Sequence, residues 1–175
     1  NTLEKAFNGK KVLVTGHTGF KGSWLAIWLK ELGAEVIGYS LDPPTNPSNF
    51  ELTELSKKII DVRADICDFS KLNEVFSNYK PEIIFHLAAQ AIVLTGFEKP
   101  RETFDINVQG TINILEAARK TPSVKTVVIV TSDKCYKDQN IPWGYRENDT
   151  LGGSDPYSAS KSMAELAVYS YQKSF

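Results

Sequence analysis

Eight residues constrain the fold more than any others in this chain: Thr15-Gly16-His17-Thr18-Gly19-Phe20-Lys21-Gly22. They follow the apolar run Lys11-Val12-Leu13-Val14 and open the helical-looking run Ser23-Trp24-Leu25-Ala26-Ile27-Trp28-Leu29-Lys30. Strand, glycine turn, helix is the context in which a glycine pattern carries meaning. Gly16 can turn sharply with φ above zero. Gly19 lets backbone approach a pyrophosphate lying at the positive end of the helix. Gly22 lets the helix pack closely on the strand. The spacing is G-x-x-G-x-x-G rather than G-x-G-x-x-G. Alone it reads two ways, as a dinucleotide site or as a plain tight turn.

The rest of the chain alternates. Residues 11–15, 35–40, 58–63, 82–87 and 124–130 are β-type apolar runs. Between and after them, 21–32, 69–78, 100–120 and 157–171 have helical periodicity. Three prolines within 43–47 make 42–49 a loop. In 100–120, Pro100 sits at a helix-entry position, and Phe104, Val108, Ile112, Leu115 and Ala118 form an apolar stripe. Segment 131–155 is loop-rich. Alternating β and α with apolar strands predicts a parallel sheet covered on both faces. Right-handed crossovers then give an α/β, doubly wound, Rossmann-type sheet of order 3-2-1-4-5. Ligands of such folds bind beyond the carboxyl ends of the strands.

Composition narrows the partners. The 175 residues suit one domain with a sizeable core. A net charge of −1 gives no polyanion-binding character, so no nucleic-acid partner is expected. No apolar run reaches the roughly 20 residues of a membrane span, and 1–9 lacks the apolar core of a signal peptide. No membrane partner and a cytoplasmic location are therefore expected. Asn at position 1 implies that the starting Met, or more, has been lost. Cys67 and Cys135 read as reduced thiols, and His17 and His86 are too few for a zinc site, so no metal is expected.

The strand ends carry the chemistry. Strand three is followed by Asp65-Ile66, whose carboxylate suits an adenine amino group, a helix cap or plain surface. Strand four is followed by Leu87-Ala88-Ala89-Gln90, small enough for backbone to lie against a ribose–nicotinamide unit or for close helix–sheet packing. Strand five is followed by Thr131-Ser132-Asp133-Lys134. Further on, Tyr157 and Lys161 stand four apart on a helix, hence on one face. An ammonium beside a phenol favours the phenolate, which suits the tyrosine to general-base work near neutral pH.

Together these motifs resemble the extended short-chain dehydrogenase/reductase family. The matching residues are Thr15-Gly-x-x-Gly-Phe-x-Gly22, Asp65-Ile66, His86-Leu-Ala-Ala-Gln90, Asn107-Val-x-Gly-Thr111, Thr131-Ser-Asp133 and Tyr157-x-x-x-Lys161. Within it the chain is most similar to the nucleotide-sugar 4,6-dehydratases, and among those to the branch acting on CDP-glucose. That narrower match lies in Gly16–Trp24, Thr131–Tyr136, Trp143–Glu147 and Leu151–Tyr157. Lys134 stands where the dTDP-glucose branch carries Glu.

The resemblance implies NAD as cofactor and oxidation, elimination and reduction on one sugar. It implies a cofactor site made of Gly16, Thr18, Gly19, Phe20, Lys21, Gly22, Ser40, Asp65, Ile66, Leu87, Ala88, Ala89, Gln90, Asn107, Thr131, Tyr157 and Lys161. Tyr157, helped by Lys161 and Ser132, would take the C4 hydroxyl proton. Lys134 would be the C5 base and Asp133 the acid for the C6 hydroxyl. For that, Lys134 must be neutral part of the time, through desolvation or nearby positive charge; otherwise it only holds substrate or Asp133 by charge. The helices 100–120 and 157–171 would pair in a homodimer or homotetramer, or else simply cover the sheet.

Three departures stand beside this. Ser40, not an acid, ends strand two, with Asp42 two residues on. The segment Ala91–Gly96 lacks the family's Arg. Family members are about twice as long, so a C-terminal nucleotide-sugar-binding domain is expected to be absent from this chain, which would bind NAD but turn over poorly alone. A 4-epimerase or reductase on the same scaffold, and a cofactor-binding sensor without chemistry, are the competing readings. Asp133-Lys134 argues against the former, and retention of Tyr157 and Lys161 against the latter.

Overall fold

A strand covered on both faces must be apolar on both, and β1 (Lys11–Thr15) meets that demand: Val12, Leu13 and Val14 are all fully buried. The computed structural model describes residues 2–175. After a short helix α1 (Thr2–Phe7) and β1 come α2 (Phe20–Glu31), β2 (Glu35–Ser40), α3 (Asn49–Leu52), β3 (Ile60–Arg63) and α4 (Phe69–Tyr79). The chain continues through β4 (Ile83–His86), α5 (Val93–Glu98), α6 (Pro100–Phe104) and α7 (Gly110–Arg119) to β5 (Thr126–Ile129) and α8 (Pro156–Ser174). The five strands pair in parallel in the order β3-β2-β1-β4-β5, as the crossover argument requires.

Local chemistry explains most boundaries. Asp68 caps α4 by accepting the Lys71 N–H at 2.9 Å. Ser48 accepts the Glu51 N–H and donates to the Glu51 carboxylate, a reciprocal cap that starts α3 after the proline loop. A tight turn at Leu55–Lys57 delays β3 to residue 60, two later than the apolar run suggests. Between α6 and α7 the helix widens through Asp105–Gln109. Helix α5 and helix α1 lie where periodicity gave nothing. The latter is held by Phe7 packing on Phe85 of β4, ring centroids 6.2 Å apart.

Two cores flank the sheet. On one face Leu13, Ile37, Ile84 and Tyr39 meet Leu72, Val75 and Phe76 of α4 and Ile114 of α7. On the other, Val12, Val14 and Val36 meet Ala26 and Leu29 of α2 and Phe50 of α3. Of the two roles open to the apolar stripe on 100–120, facing the sheet falls mainly to other residues. Phe104, Val108, Ile112 and Leu115 are only half-buried, and Ala118 alone is buried. The buried face carries Thr103, Asn107, Gly110, Thr111, Ile114 and Ala117. Polar residues can occupy it because their hydrogen bonds are made internally. Among the described residues no helix is long and apolar enough to cross a membrane.

Leu13→Ala, on the central strand at 0% exposure, is expected to cost roughly 2–5 kcal/mol in urea unfolding. A loss under about 1 kcal/mol would contradict the packing described.

Candidate active site

The glycine turn is fixed by steric exclusion. Gly16 has φ +73°, and a Cβ there would lie 2.8 Å from the Ala88 nitrogen. A Cβ at Gly22 would lie 2.0 Å from the Gly16 carbonyl oxygen. Gly19 is extended at the start of α2, where a Cβ would only touch the Gly16 carbonyl oxygen at 3.4 Å, and no side chain caps the helix there. The first amides of α2 are therefore left to an outside acceptor, with Phe20 and Lys21 exposed beside them. Behind the turn, His17 is fully buried and presses flat on Gly38. Its Nε2 lies 2.8 Å from an Asp61 oxygen.

At the end of β2, Thr18 donates to the Leu41 carbonyl at 3.0 Å, so Ser40 donates to Thr18 at 2.9 Å. That leaves the Ser40 lone pairs free to accept from a ribose hydroxyl. Asp42 is 92% exposed and leans on Arg63 at 3.3 Å. Asp65 accepts the Cys67 N–H at 2.9 Å, and the helix cap belongs to Asp68. Asp65 borders a cleft of about 640 Å³ together with Leu41, Cys67, Pro100, Arg101 and Ile106. Ile66 does not face that cleft: its side chain is buried in the core against Gly110, and its carbonyl accepts from Asn113. A glycine-only turn, uncapped helix amides, a free hydroxyl acceptor and a carboxylate beside a cleft fit a dinucleotide.

A chain of buried hydrogen bonds joins this turn to α8. Thr15 Oγ1 accepts the N–H groups of Leu87 and Ala88, each at 3.1 Å, so its own proton goes to His86 Nδ1 at 2.7 Å. The imidazole proton therefore sits on Nε2 and faces Thr111 Oγ1 at 3.3 Å. Thr111 passes its proton to the Asn107 carbonyl at 2.7 Å. Burial, then the Lys161 charge, hold His86 down at about 3, so the ring is neutral. The Asn107 amide brackets Gln90, accepting its N–H at 2.8 Å and donating to its carbonyl at 3.0 Å. It also donates to Ser160 at 2.8 Å, and Ser160 donates to the Tyr157 carbonyl at 2.7 Å.

Helix α8 starts cleanly. Pro156 takes the first position and Asp155 accepts the Ser158 N–H at 3.0 Å. Tyr157 and Lys161 are 9% and 6% exposed, one turn apart. Lys161 Nζ donates to the Val130 carbonyl at 3.3 Å. Burial pushes the Lys161 ammonium down to about 8, against the opposing pull of the Glu165 carboxylate. Ser132 caps the turn Asp133–Cys135: its oxygen accepts the Lys134 N–H at 3.2 Å, and its proton goes to Asp133 at 3.1 Å. Asp133 and Lys134 are exposed. The desolvation expected for a lysine base is not supplied by the described residues around Lys134. Thr131 bonds Glu165, a partner that no motif pointed to. The loop after the turn is ordered by a bridge between Tyr136 and Leu151 and by Tyr136 stacked on Tyr145 at 4.9 Å.

Residues 13–175 match the family model described as GDP-mannose 4,6 dehydratase. The chain is 51% identical to CDP-glucose 4,6-dehydratase of Salmonella typhimurium over 99% of its own length and 48% of that protein. A UDP-glucose 4-epimerase from Brucella ovis, solved in complex with NAD, superposes with TM-score 0.78 at 27% identity, over 95% of this chain and 49% of the other. A dTDP-glucose 4,6-dehydratase from Bacillus anthracis, also solved with NAD, superposes with TM-score 0.77 at 25% identity, over 95% and 52%. The chain spans about half the length of the curated relatives it matches.

The buried ammonium gives a direct expectation. Lys161 should titrate near pH 8 in NMR of its side chain, below the ordinary 10.5. The unfolded chain then binds more protons between those pH values, so this group makes stability rise with pH through that window. A Lys161 midpoint above 10 would refute the burial argument.

Proposed function

The chain belongs to the GDP-mannose 4,6-dehydratase family, and from that premise we propose that it carries the NAD-binding and proton-transfer machinery of a CDP-glucose 4,6-dehydratase. The observation that carries the reading is the exposed Asp133-Lys134 pair on the turn capped by Ser132, at the end of β5 beside the helix of Tyr157 and Lys161. The 51% identity to the Salmonella CDP-glucose enzyme supports the choice of nucleotide. A 4-epimerase shares Ser132, Tyr157 and Lys161 but has no use for an acid and a base after β5.

Residues 1–175 would form the cofactor-binding domain. Gly16, Gly19 and Gly22 would admit the NAD pyrophosphate to the α2 amides, with Ser40 on a ribose, Asp65 at the adenine, and Leu87 to Gln90 with Asn107 along the nicotinamide side. Bound there, NAD would supply the hydride acceptor at C4 of the sugar and the donor at C6. Tyr157, beside the Lys161 charge, takes the C4 hydroxyl proton. The resulting ketone acidifies C5, whose proton goes to Lys134, while Asp133 gives a proton to the departing C6 hydroxyl. Lys134 then returns a proton to C5. A sugar seated over the turn would provide the desolvation that frees Lys134 to act as a base.

The protein would act as a homodimer or homotetramer. The half-buried Phe104, Val108, Ile112 and Leu115 and the exposed Met163, Leu166 and Tyr169 support pairing through helices α6–α8. Its free Cys67 and Cys135 are in keeping with a cytoplasmic location.

In the full-length gene product, Tyr157→Phe is expected to stop hydride transfer while NAD affinity changes less than about threefold. Lys134→Met should still reduce bound NAD on mixing with CDP-glucose, seen at 340 nm, yet release no water. A Lys134→Met enzyme with normal product formation would remove the base assignment, and an active Tyr157→Phe enzyme would overturn the whole scheme.

A further inference from the structure

The segment that carries Ser132, Asp133 and Lys134 hangs between two anchors, and both anchors are on α8. On one side, the Thr131 hydroxyl donates to the Glu165 carboxylate. On the other, the Ser162 hydroxyl donates to the Cys135 carbonyl at 2.5 Å, with both residues buried. A third grip comes from Lys161, whose Nζ donates to the carbonyl of Val130, the residue before Thr131. Tyr157, Lys161 and Glu165 stand at successive four-residue steps, so they file along one face of the helix. The last of the three belongs to none of the motifs that identify the site.

We infer that Glu165 is a positioning residue: by holding Thr131 it sets Ser132, Asp133 and Lys134 against the face of α8 that carries Tyr157 and Lys161. The inference rests on the dehydratase reading above. Of the two anchors, the Glu165 one is the adjustable one. Ser162 reaches a backbone carbonyl across a buried contact, whereas Thr131 and Glu165 are both half-buried and meet through side chains alone. Without the carboxylate, Thr131 loses its side-chain tie to α8, leaving the Lys161 hold on Val130 and the Ser162 hold on Cys135, while β5 itself stays paired with β4. The effect should therefore fall on geometry at the reacting groups rather than on cofactor or sugar binding.

The test uses the full-length gene product with CDP-glucose and NAD. Glu165→Ala is expected to lower kcat roughly 10- to 100-fold, the cost of a displacement on the order of 1 Å at a reacting centre. KM and NAD affinity should stay within about twofold. Glu165→Gln, whose amide oxygen still accepts the Thr131 proton, should recover most of kcat. Thr131→Val removes the same bond from the other side and should lower kcat similarly, with the double variant little worse than either single. If Glu165→Ala does not fold, Thr131→Val carries the test. Wild-type kcat in Glu165→Ala or Thr131→Val, or a loss that Gln does not restore, would overturn the inference. A dead Tyr157→Phe control beside an unimpaired Glu165→Ala sinks this inference alone, whereas an active Tyr157→Phe sinks the reading beneath it.

Discussion

The buried hydrogen-bond chain from Thr15 through His86 and Thr111 to Asn107 and Ser160 is the constraint on which the rest of the site depends. Its members come from β1, β4, the widened turn before α7, α7 itself and α8. A buried polar group left unpaired costs about 1–3 kcal/mol, so none of them can shift without stranding a neighbour. Fixing one fixes the others. The glycine turn, the backbone at Gln90 and the helix of Tyr157 are thereby placed by a single network rather than by three separate sets of contacts. The direction of the bonds through His86 follows from Thr15, whose oxygen already accepts two backbone N–H groups and so must give its proton to the imidazole; beyond it, the Asn107 amide is oriented by its bracket on Gln90. His86 is locked as a neutral donor and does no acid–base work.

Around that network, sterics and charge divide the labour. The turn is shaped by absence: Gly16 and Gly22 leave no volume for a side chain, and α2 has no cap of its own. The far end is shaped by burial. Lys161 is taken out of water beside a neutral ring, with a backbone carbonyl as its hydrogen-bond partner and a carboxylate one turn on. Asp133 and Lys134 are different in kind, exposed on a turn whose shape comes from Ser132 and whose position comes from α8.

Much of this was legible in the sequence. The five strands, their order and the glycine turn follow from apolar runs, breakers and handed crossovers, all of which are local or topological rules. Tyr157 and Lys161 were legible because a spacing of four defines a helix face. The sheet-facing stripe of 100–120 was not, because apolarity favours Phe104 and Val108 over the buried Asn107 and Thr111, and only the hydrogen-bond partners reveal why polar residues sit inside. Helix α1 escaped since six residues hold a helix only when something like the Phe7–Phe85 contact supports it. Ile66 matched a motif yet turned into the core, as the motif constrains backbone and not side-chain direction. Glu165 was findable as the third step of the Tyr157, Lys161 file, but its partner Thr131 lies 34 residues away in sequence.

The central claim is that this chain supplies the proton-handling groups for a dehydration. The most direct measurement incubates the full-length gene product with CDP-glucose and NAD in deuterium oxide and follows the sugar by mass spectrometry and NMR. The account requires loss of one water with one deuterium incorporated at C5. A sugar nucleotide recovered without water loss while NAD stays bound, or one changed only in configuration at C4, would contradict it.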